Sequence, residues 1–317
     1  MNLGIVDISM HVPAHRQNVA EAAQELALSK MDGRLFERFY GLKALPYEAG
    51  GSMEALYQPL IAHLAAMAPA LSASLDLVVY CHTLPSVAPP HGQRMTQRLL
   101  DGLGSRAEVM DLSLAHCATP VATLPLIRAR LAPGRRALLL AGERGFHRSL
   151  RLLPGITIMG EVSCAVVLAP GEGSCRIQDV YTQHDGRFCR DTGHFDGNEG
   201  AFRFAAEYQG LLLAHMRSAL AHFSLAPEDI ALILPHNVNL PSWQGLMREL
   251  GWPRDKVYLD NVARYSHCFG ADGFINLRHA LAEGRLVSGD QVLMVSVGMG
   301  ATLASALVEL LPPPAPS

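Results

Sequence analysis

The octapeptide YSHCFGAD, Tyr265 to Asp272, sets a histidine beside a cysteine where a strand should turn into a helix. A second such pair, His116 and Cys117, precedes the helix-like ATPVATLPLIRARL, and a third histidine, His236, follows the apolar run ALIL in PHNVN. Cysteine becomes a nucleophile once its proton is removed, and histidine is the side chain best suited to take that proton near neutral pH.

Cys117 follows the strand-like VMDLSL, and Pro120 falls early in the next helix, where a missing N–H is tolerated. The unpaired amides at such a helix start, together with a nearby imidazole, favour a thiolate. The plainer alternative is a buried thiol that fills space. His236 is read as a general base or a hydrogen-bond donor to a carbonyl, and His267 as reaching the same reacting carbon from another direction. Each could instead be a core histidine. Cys268 is read as a packing or helix-start residue, and His116 stays ambiguous. Two adjacent His-Cys pairs invite zinc, but neighbouring side chains diverge and the spacing of zinc knuckles is missing, so no metal is assigned.

The elements that must hold these residues alternate. Short apolar runs predict strands near 2–9, 76–82, 107–113, 136–142, 163–168, 230–235, 257–261 and 291–297, with helices over 55–69, 89–103, 201–223 and 239–250. This is an α/β pattern. The segment from EVMDLSLAHC to LLLAG and the segment from KVYLDNVARYSHC to VLMVSVG share the order strand, turn, helix, turn, strand. Two related halves are expected, 1–170 and 171–317, with Cys117 and His267 at corresponding strand ends facing one cleft. DGRFCRDTGHFDGNEG, 185–200, reads as a lid-like excursion, and the tail PPPAPS as frayed or extended.

With 317 residues, 49% hydrophobic and 17% charged, the chain can bury a substantial core. A net charge of −3 without a long basic run gives no sign of a nucleic-acid groove. The N-terminal stretch lacks a signal-peptide pattern and no apolar run could span a bilayer, so a soluble, cytoplasmic protein is expected. Six cysteines without C-x-x-C spacing argue against a disulfide scaffold.

Taken in order, these landmarks resemble the thiolase superfamily, in its ketoacyl-ACP synthase III-like branch of condensing enzymes. DLSLAHCAT is similar to the family's nucleophile region, with Cys117 as nucleophile. His236-Asn237-Val238-Asn239 stands for the His-Gln-Ala-Asn motif, and Gly298-Met299-Gly300 for the terminal G-x-G. Two departures stand out. Arg264-Tyr265-Ser266-His267-Cys268 replaces an Arg-Tyr-Gly-Asn-Thr type segment, so His267 takes the place of the usual asparagine. GEVSCAVVL, 160–168, replaces a more glycine-rich stretch, with Glu161 expected to stabilise local structure.

The resemblance implies a thiolase-like fold of two pseudo-repeated mixed-sheet halves in αβαβα layers. It further implies a homodimer and a Cys117 acyl-thioester loaded from coenzyme A or an acyl carrier protein, with no tightly bound cofactor. Condensation with a malonyl-type thioester, assisted by His236 and His267, is the first expectation. Acyl transfer to an amine or alcohol is the alternative, and a degenerate, non-catalytic partner is a third reading. Oxyanion or substrate contacts are expected from the Cys117 amide, Gly300 and Asn239. Arg248 is expected to meet a carrier carboxylate or phosphopantetheine phosphate, Trp243 to line an entrance or pack, and His82 and His91 to shape the pocket.

Overall fold

The computed structural model describes residues 2–49, 51–67, 69–83, 88–113, 115–189 and 198–312. Nine strands form one hydrogen-bonded sheet: β1 (Leu3–His11), β2 (Leu75–Cys81), β3 (Glu108–Leu112), β4 (Arg136–Ala141), β5 (Ser163–Pro170), β6 (Cys175–His184), β7 (Leu232–Leu234), β8 (Gln291–Gly298) and β9 (Thr302–Leu310). Their spatial order is β7-β8-β9-β6-β1-β5-β4-β2-β3.

The two wings of this sheet repeat one topology. From one edge, β3, β2 and β4 run parallel, and β5 and β1 follow antiparallel. From the other edge, Val257 makes a single parallel bridge to Ile233, β7 and β8 are parallel, and β9 and β6 follow antiparallel. In chain order both wings therefore read third, second, fourth, fifth, first. β1 and β6, the first strand of each, join the wings antiparallel.

The helices that carry or support the site are α1 (Met53–Met67), α2 (Ala88–Leu103), α3 (Thr119–Ala122), α4 (Leu124–Arg130), α5 (Asn198–Phe223), α6 (Leu240–Leu250), α7 (Asp260–Tyr265) and α8 (Asp272–Ala282). Alternation along the strands sorts them into layers. Leu77 and Val79 of β2 and Leu139 of β4 face a central core, whereas Val78, Tyr80 and Leu138 turn outward onto Leu60 of α1 and Leu99 of α2. In β8, Val292 and Met294 enter the same central core, while Leu293 and Val295 pack outward with Leu212 of α5 and Trp243 of α6. The central core also contains Val121, Leu124, Ile127, Phe274 and Leu277, so α3, α4 and α8 lie between the wings. The layering is αβαβα.

Two expectations need correction. The run expected as a strand over 257–261 forms only the bridge at Val257, because Leu259 leaves the extended region at φ −111°, ψ −2° and α7 begins at Asp260. Two strands absent from the expected set, β6 and β9, complete the second wing. β6 is mostly half-buried and carries polar residues on both faces, and β9 is rich in small residues, so neither presents a branched apolar run. Residues 190–197 of the expected excursion and the tail beyond Pro312 lie outside the described residues. No helix among the described residues is long and apolar enough to cross a membrane.

Candidate active site

Cys117 sits in the single 3-10 turn His116–Ala118 that leads from β3 into α3, and His267 sits between α7 and the turn Phe269–Ala271 that opens α8. The repeat makes these equivalent corners, and they touch. A Cβ on Gly270 would fall 2.6 Å from the Pro120 side chain and 3.2 Å from the Cys117 carbonyl, and one on Gly298 would fall 2.0 Å from the Ala115 carbonyl. Only glycine allows so close an approach. The Ser296 hydroxyl donates to the Cys117 carbonyl at 2.8 Å, and the Gly160 amide donates to the His267 carbonyl at 2.9 Å.

Both corners hold strained backbone next to the reactive side chain. His116 has φ +47°, and Ser266 has φ +60° with ψ −156°, a region almost reserved for glycine. The Ser266 hydroxyl is anchored by donating to the Ile158 carbonyl. The adjacent histidine and cysteine are thereby aimed at fixed directions by backbone that resists relaxation.

Three side chains form a line. His267 Nε2 lies 3.2 Å from Cys117 Sγ, and its Nδ1 lies 2.5 Å from Asp272 Oδ2. Asp272, 1% exposed, accepts from the Cys268 amide at 2.8 Å, the Asn237 amide at 2.6 Å and the Asn237 side chain at 3.2 Å. Burial alone would lower the His267 pKa. The Asp272 carboxylate, then the Cys117 sulfur, and hydrogen bonds to both raise it, to about 10 from 6.5. An imidazolium held beside sulfur stabilises the nucleophilic thiolate, and a carboxylate behind it fixes the ring's orientation. Asn276 backs this arrangement by donating to the Pro235 carbonyl at 2.7 Å and to Asn237 Oδ1 at 2.9 Å, while accepting from Asn261 at 2.8 Å.

His236 stands beside the line but outside it. Its ring centroid is 5.9 Å from that of His267, its Nε2 is hydrogen-bonded to the Tyr208 hydroxyl at 2.6 Å, and its carbonyl accepts from Trp243 Nε1 at 2.9 Å. Burial, then the neighbouring His267, hold its pKa well below the usual value, so the ring is neutral. Its Nδ1 has no hydrogen-bond partner among the described residues.

The remaining candidates are spread more widely. Asn239 caps α6, accepting from Ser242 N at 2.9 Å and donating to the Ile156 carbonyl at 3.0 Å, so its amide is occupied by structure. Gly300, at φ +79°, forms the turn between β8 and β9. Arg248 is exposed on the last turn of α6, outside the buried cluster, and Trp243 is fully buried in the outer core. Cys268 is buried with its thiol against the Tyr265 carbonyl, and burial pushes its pKa far up. Glu161 clamps the Glu48 and Gly145 amides, each at 2.8 Å. His82 pairs with Asp111 at the end of β2, and the His91 side chain lies outside the described residues. Among the described residues no cluster of His, Cys, Asp and Glu could hold a metal ion.

Sequence reasoning missed Asp272 and Tyr208. Asp272 had a signal: it is the one charge in CFGADGFINL, where an unpaired carboxylate would be costly. Tyr208 had none, since it meets His236 from a separate helix.

Comparison with known proteins agrees with this architecture. Residues 220–310 match the family model for the C-terminal part of 3-oxoacyl-[acyl-carrier-protein] synthase III. The chain is 26% identical over 257 residues to a beta-ketoacyl-[acyl-carrier-protein] synthase III of Vibrio vulnificus, covering 74% of this chain and 69% of that protein. It is 26% identical over 260 residues to its counterpart in Clostridium perfringens, covering 74% and 78%. Among solved structures, the acyltransferase ChlB3 superposes with a TM-score of 0.82 at 20% identity, covering 99% of each chain. The synthase III of Pseudomonas aeruginosa gives 0.77 at 20% identity, covering 100% of each.

Proposed function

Since the chain belongs to the thiolase superfamily of condensing enzymes, with a ketoacyl-ACP synthase III-like fold, we propose that it moves an acyl group from a thioester donor to an alcohol or amine through Cys117. Coenzyme A or an acyl carrier protein supplies the donor. The observation that carries this reading is the line Cys117, His267, Asp272.

In the first half-reaction the Cys117 thiol gives its proton to His267 Nε2 and the sulfur attacks the donor carbonyl. The carbon–sulfur bond to the donor breaks, and the departing thiolate takes the proton from His267. The Cys117 amide and the Gly300 turn are the donors we assign to the oxyanion. Acylation removes the negative sulfur that helped raise the His267 pKa, leaving a better general base. In the second half-reaction His267 takes the proton of the acceptor hydroxyl or amine, which attacks the thioester, and Cys117 leaves as a thiol on recovering that proton. Asp272 holds the ring in the tautomer that accepts at Nε2 and stabilises the imidazolium.

Decarboxylative condensation, the activity in the names of the curated relatives, is the second reading. It asks two N–H donors to converge on the malonyl carbonyl as the enolate forms. Against it, His236 Nε2 is taken by Tyr208. We further propose that each chain is divided into two halves, 1–170 and 171–317, and that two chains form a homodimer.

Incubation with a panel of acyl-coenzyme A and acyl-carrier donors, followed by peptide mass spectrometry, tests the assignment. An adduct on Cys117, absent in Cys117→Ala and slow to form and to discharge in His267→Ala, is expected. A reproducible adduct on Cys268 with Cys117 unmodified would sink it.

A further inference from the structure

Among the described residues, Tyr208 is the one polar contact from the outer helix α5 onto the neutral histidine beside the triad. Its hydroxyl reaches His236 Nε2 at 2.6 Å, the shortest link between the second-wing helices and the catalytic corner that the proposed reaction does not use. The ring is well braced. It is buried, stands edge-on to Phe204 at 6.0 Å, and Phe204 stands edge-on to Phe188 at 5.8 Å. On the far side His236 is wedged edge-on against Trp243 at 5.3 Å.

The consequence for chemistry follows from hydrogen-bond capacity. A neutral imidazole has one donor and one acceptor nitrogen. Whichever of the two atoms donates, the phenol oxygen occupies Nε2, so no N–H at that nitrogen is left for a substrate. The nitrogen nearest the phenol is therefore not a free donor. An enolate formed from a malonyl thioester carries its charge on the carbonyl oxygen and needs N–H donors there. Removal of the phenol leaves Nε2 free to carry a proton and donate to a substrate carbonyl.

Resting on the acyl-transfer reading above, we propose that Tyr208 is a specificity-determining residue: by occupying His236 Nε2 it withholds the donor that decarboxylation requires and confines the site to acyl transfer. Its role is exerted through His236, on the choice between two reactions of one acyl-enzyme.

The test uses Tyr208→Phe, which keeps the ring and its edge-on contacts while deleting the hydroxyl. Carbon dioxide release from labelled malonyl-coenzyme A is measured for wild type and variant, with Cys117 acylation read by intact mass in the same samples. One preorganised oxyanion donor is typically worth about 10²–10³ in rate, so the rate of decarboxylation, and its ratio to acylation where Cys117 acylates, is expected to rise at least tenfold. The gain must vanish in Tyr208→Phe/His236→Ala. Tyr208→Leu, with folding checked by thermal unfolding, provides a second route to the same loss of hydroxyl. Decarboxylation needs no prior acylation, so failure of Cys117 to acylate in wild type counts against the acyl-transfer reading alone. An unchanged ratio in both variants, or a gain that survives loss of His236, overturns the role of Tyr208.

Discussion

Asp272→Asn removes the charge from the end of the triad while keeping its shape, and its effect can be worked from the contacts. The carboxylate accepts from four N–H groups, those of His267, Cys268 and, twice, Asn237. An asparagine there has a single acceptor oxygen and turns an NH₂ toward groups that are themselves donors. At least one buried N–H loses its partner, a cost of about 1–3 kcal/mol in stability. The link to His267 falls from a charge-assisted bond worth roughly 1.5–3 kcal/mol to a neutral one worth about 0.5–1.5 kcal/mol. The difference, about 1–1.5 kcal/mol, corresponds to roughly one pKa unit. The His267 pKa, raised by Asp272 in the native protein, therefore falls, and the alkaline limb of the acylation profile moves to lower pH by about one unit or more. If the asparagine NH₂ donates to Nδ1, the ring proton moves to Nε2 and the ring can no longer accept from the thiol. General-base assistance worth on the order of 10²–10⁴ is then lost. Rapid mixing with an acyl-coenzyme A donor across pH, read by intact mass, gives both quantities. Acylation within threefold of wild type, with an unmoved alkaline limb, would refute the triad.

Four further outcomes are expected. Ser266→Gly should be more stable to denaturant than Ser266→Ala by about 1–3 kcal/mol, because both lose the hydroxyl bond but only glycine relieves φ +60°; an alanine variant of equal stability would remove the strain argument. The His267 proton is bound more tightly in the folded state, so its contribution to stability is complete below pH 6.5 and is lost as pH rises toward 10; urea midpoints of wild type should fall over that window more than those of His267→Gln. Iodoacetamide should label Cys117 and the exposed Cys189, and Cys189→Ser should leave acyl transfer intact, whereas Cys268 should stay unlabelled in the native protein. Light scattering should return the mass of a dimer, and a monomer at all working concentrations would contradict the assigned assembly.

The first wing was largely legible because β2, β4 and β5 are runs of Leu, Val and Ala between turn residues, and their helices carry clear apolar faces. The second wing was harder. Its outer strand shrinks to one bridge at Val257, and β6 and β9 hide in polar or small residues that only the neighbouring strands make into a sheet. The site divides in the same way. Cys117, His236 and His267 could be found from their places after strands, yet the roles of the histidines could not. Those roles depend on which nitrogen meets which partner, and two of the partners lie far from the motif they serve: Cys117 is 150 residues from His267, and Tyr208 is 28 residues from His236. Asn239 matched a motif position but is occupied as a helix cap.

In the proposed reaction the Cys117 acyl-enzyme gives its acyl group to a hydroxyl or amine rather than to a malonyl-derived enolate. Isolated acyl-enzyme, split between labelled malonyl thioester and a panel of small amines and alcohols, tests it by intact mass, gas counting and product mass together. Loss of the Cys117 adduct with formation of ester or amide is expected, with no labelled carbon dioxide in the malonyl arm. Discharge of the adduct by the malonyl thioester with release of carbon dioxide and a β-ketoacyl product, while amines and alcohols leave the adduct intact, would contradict it.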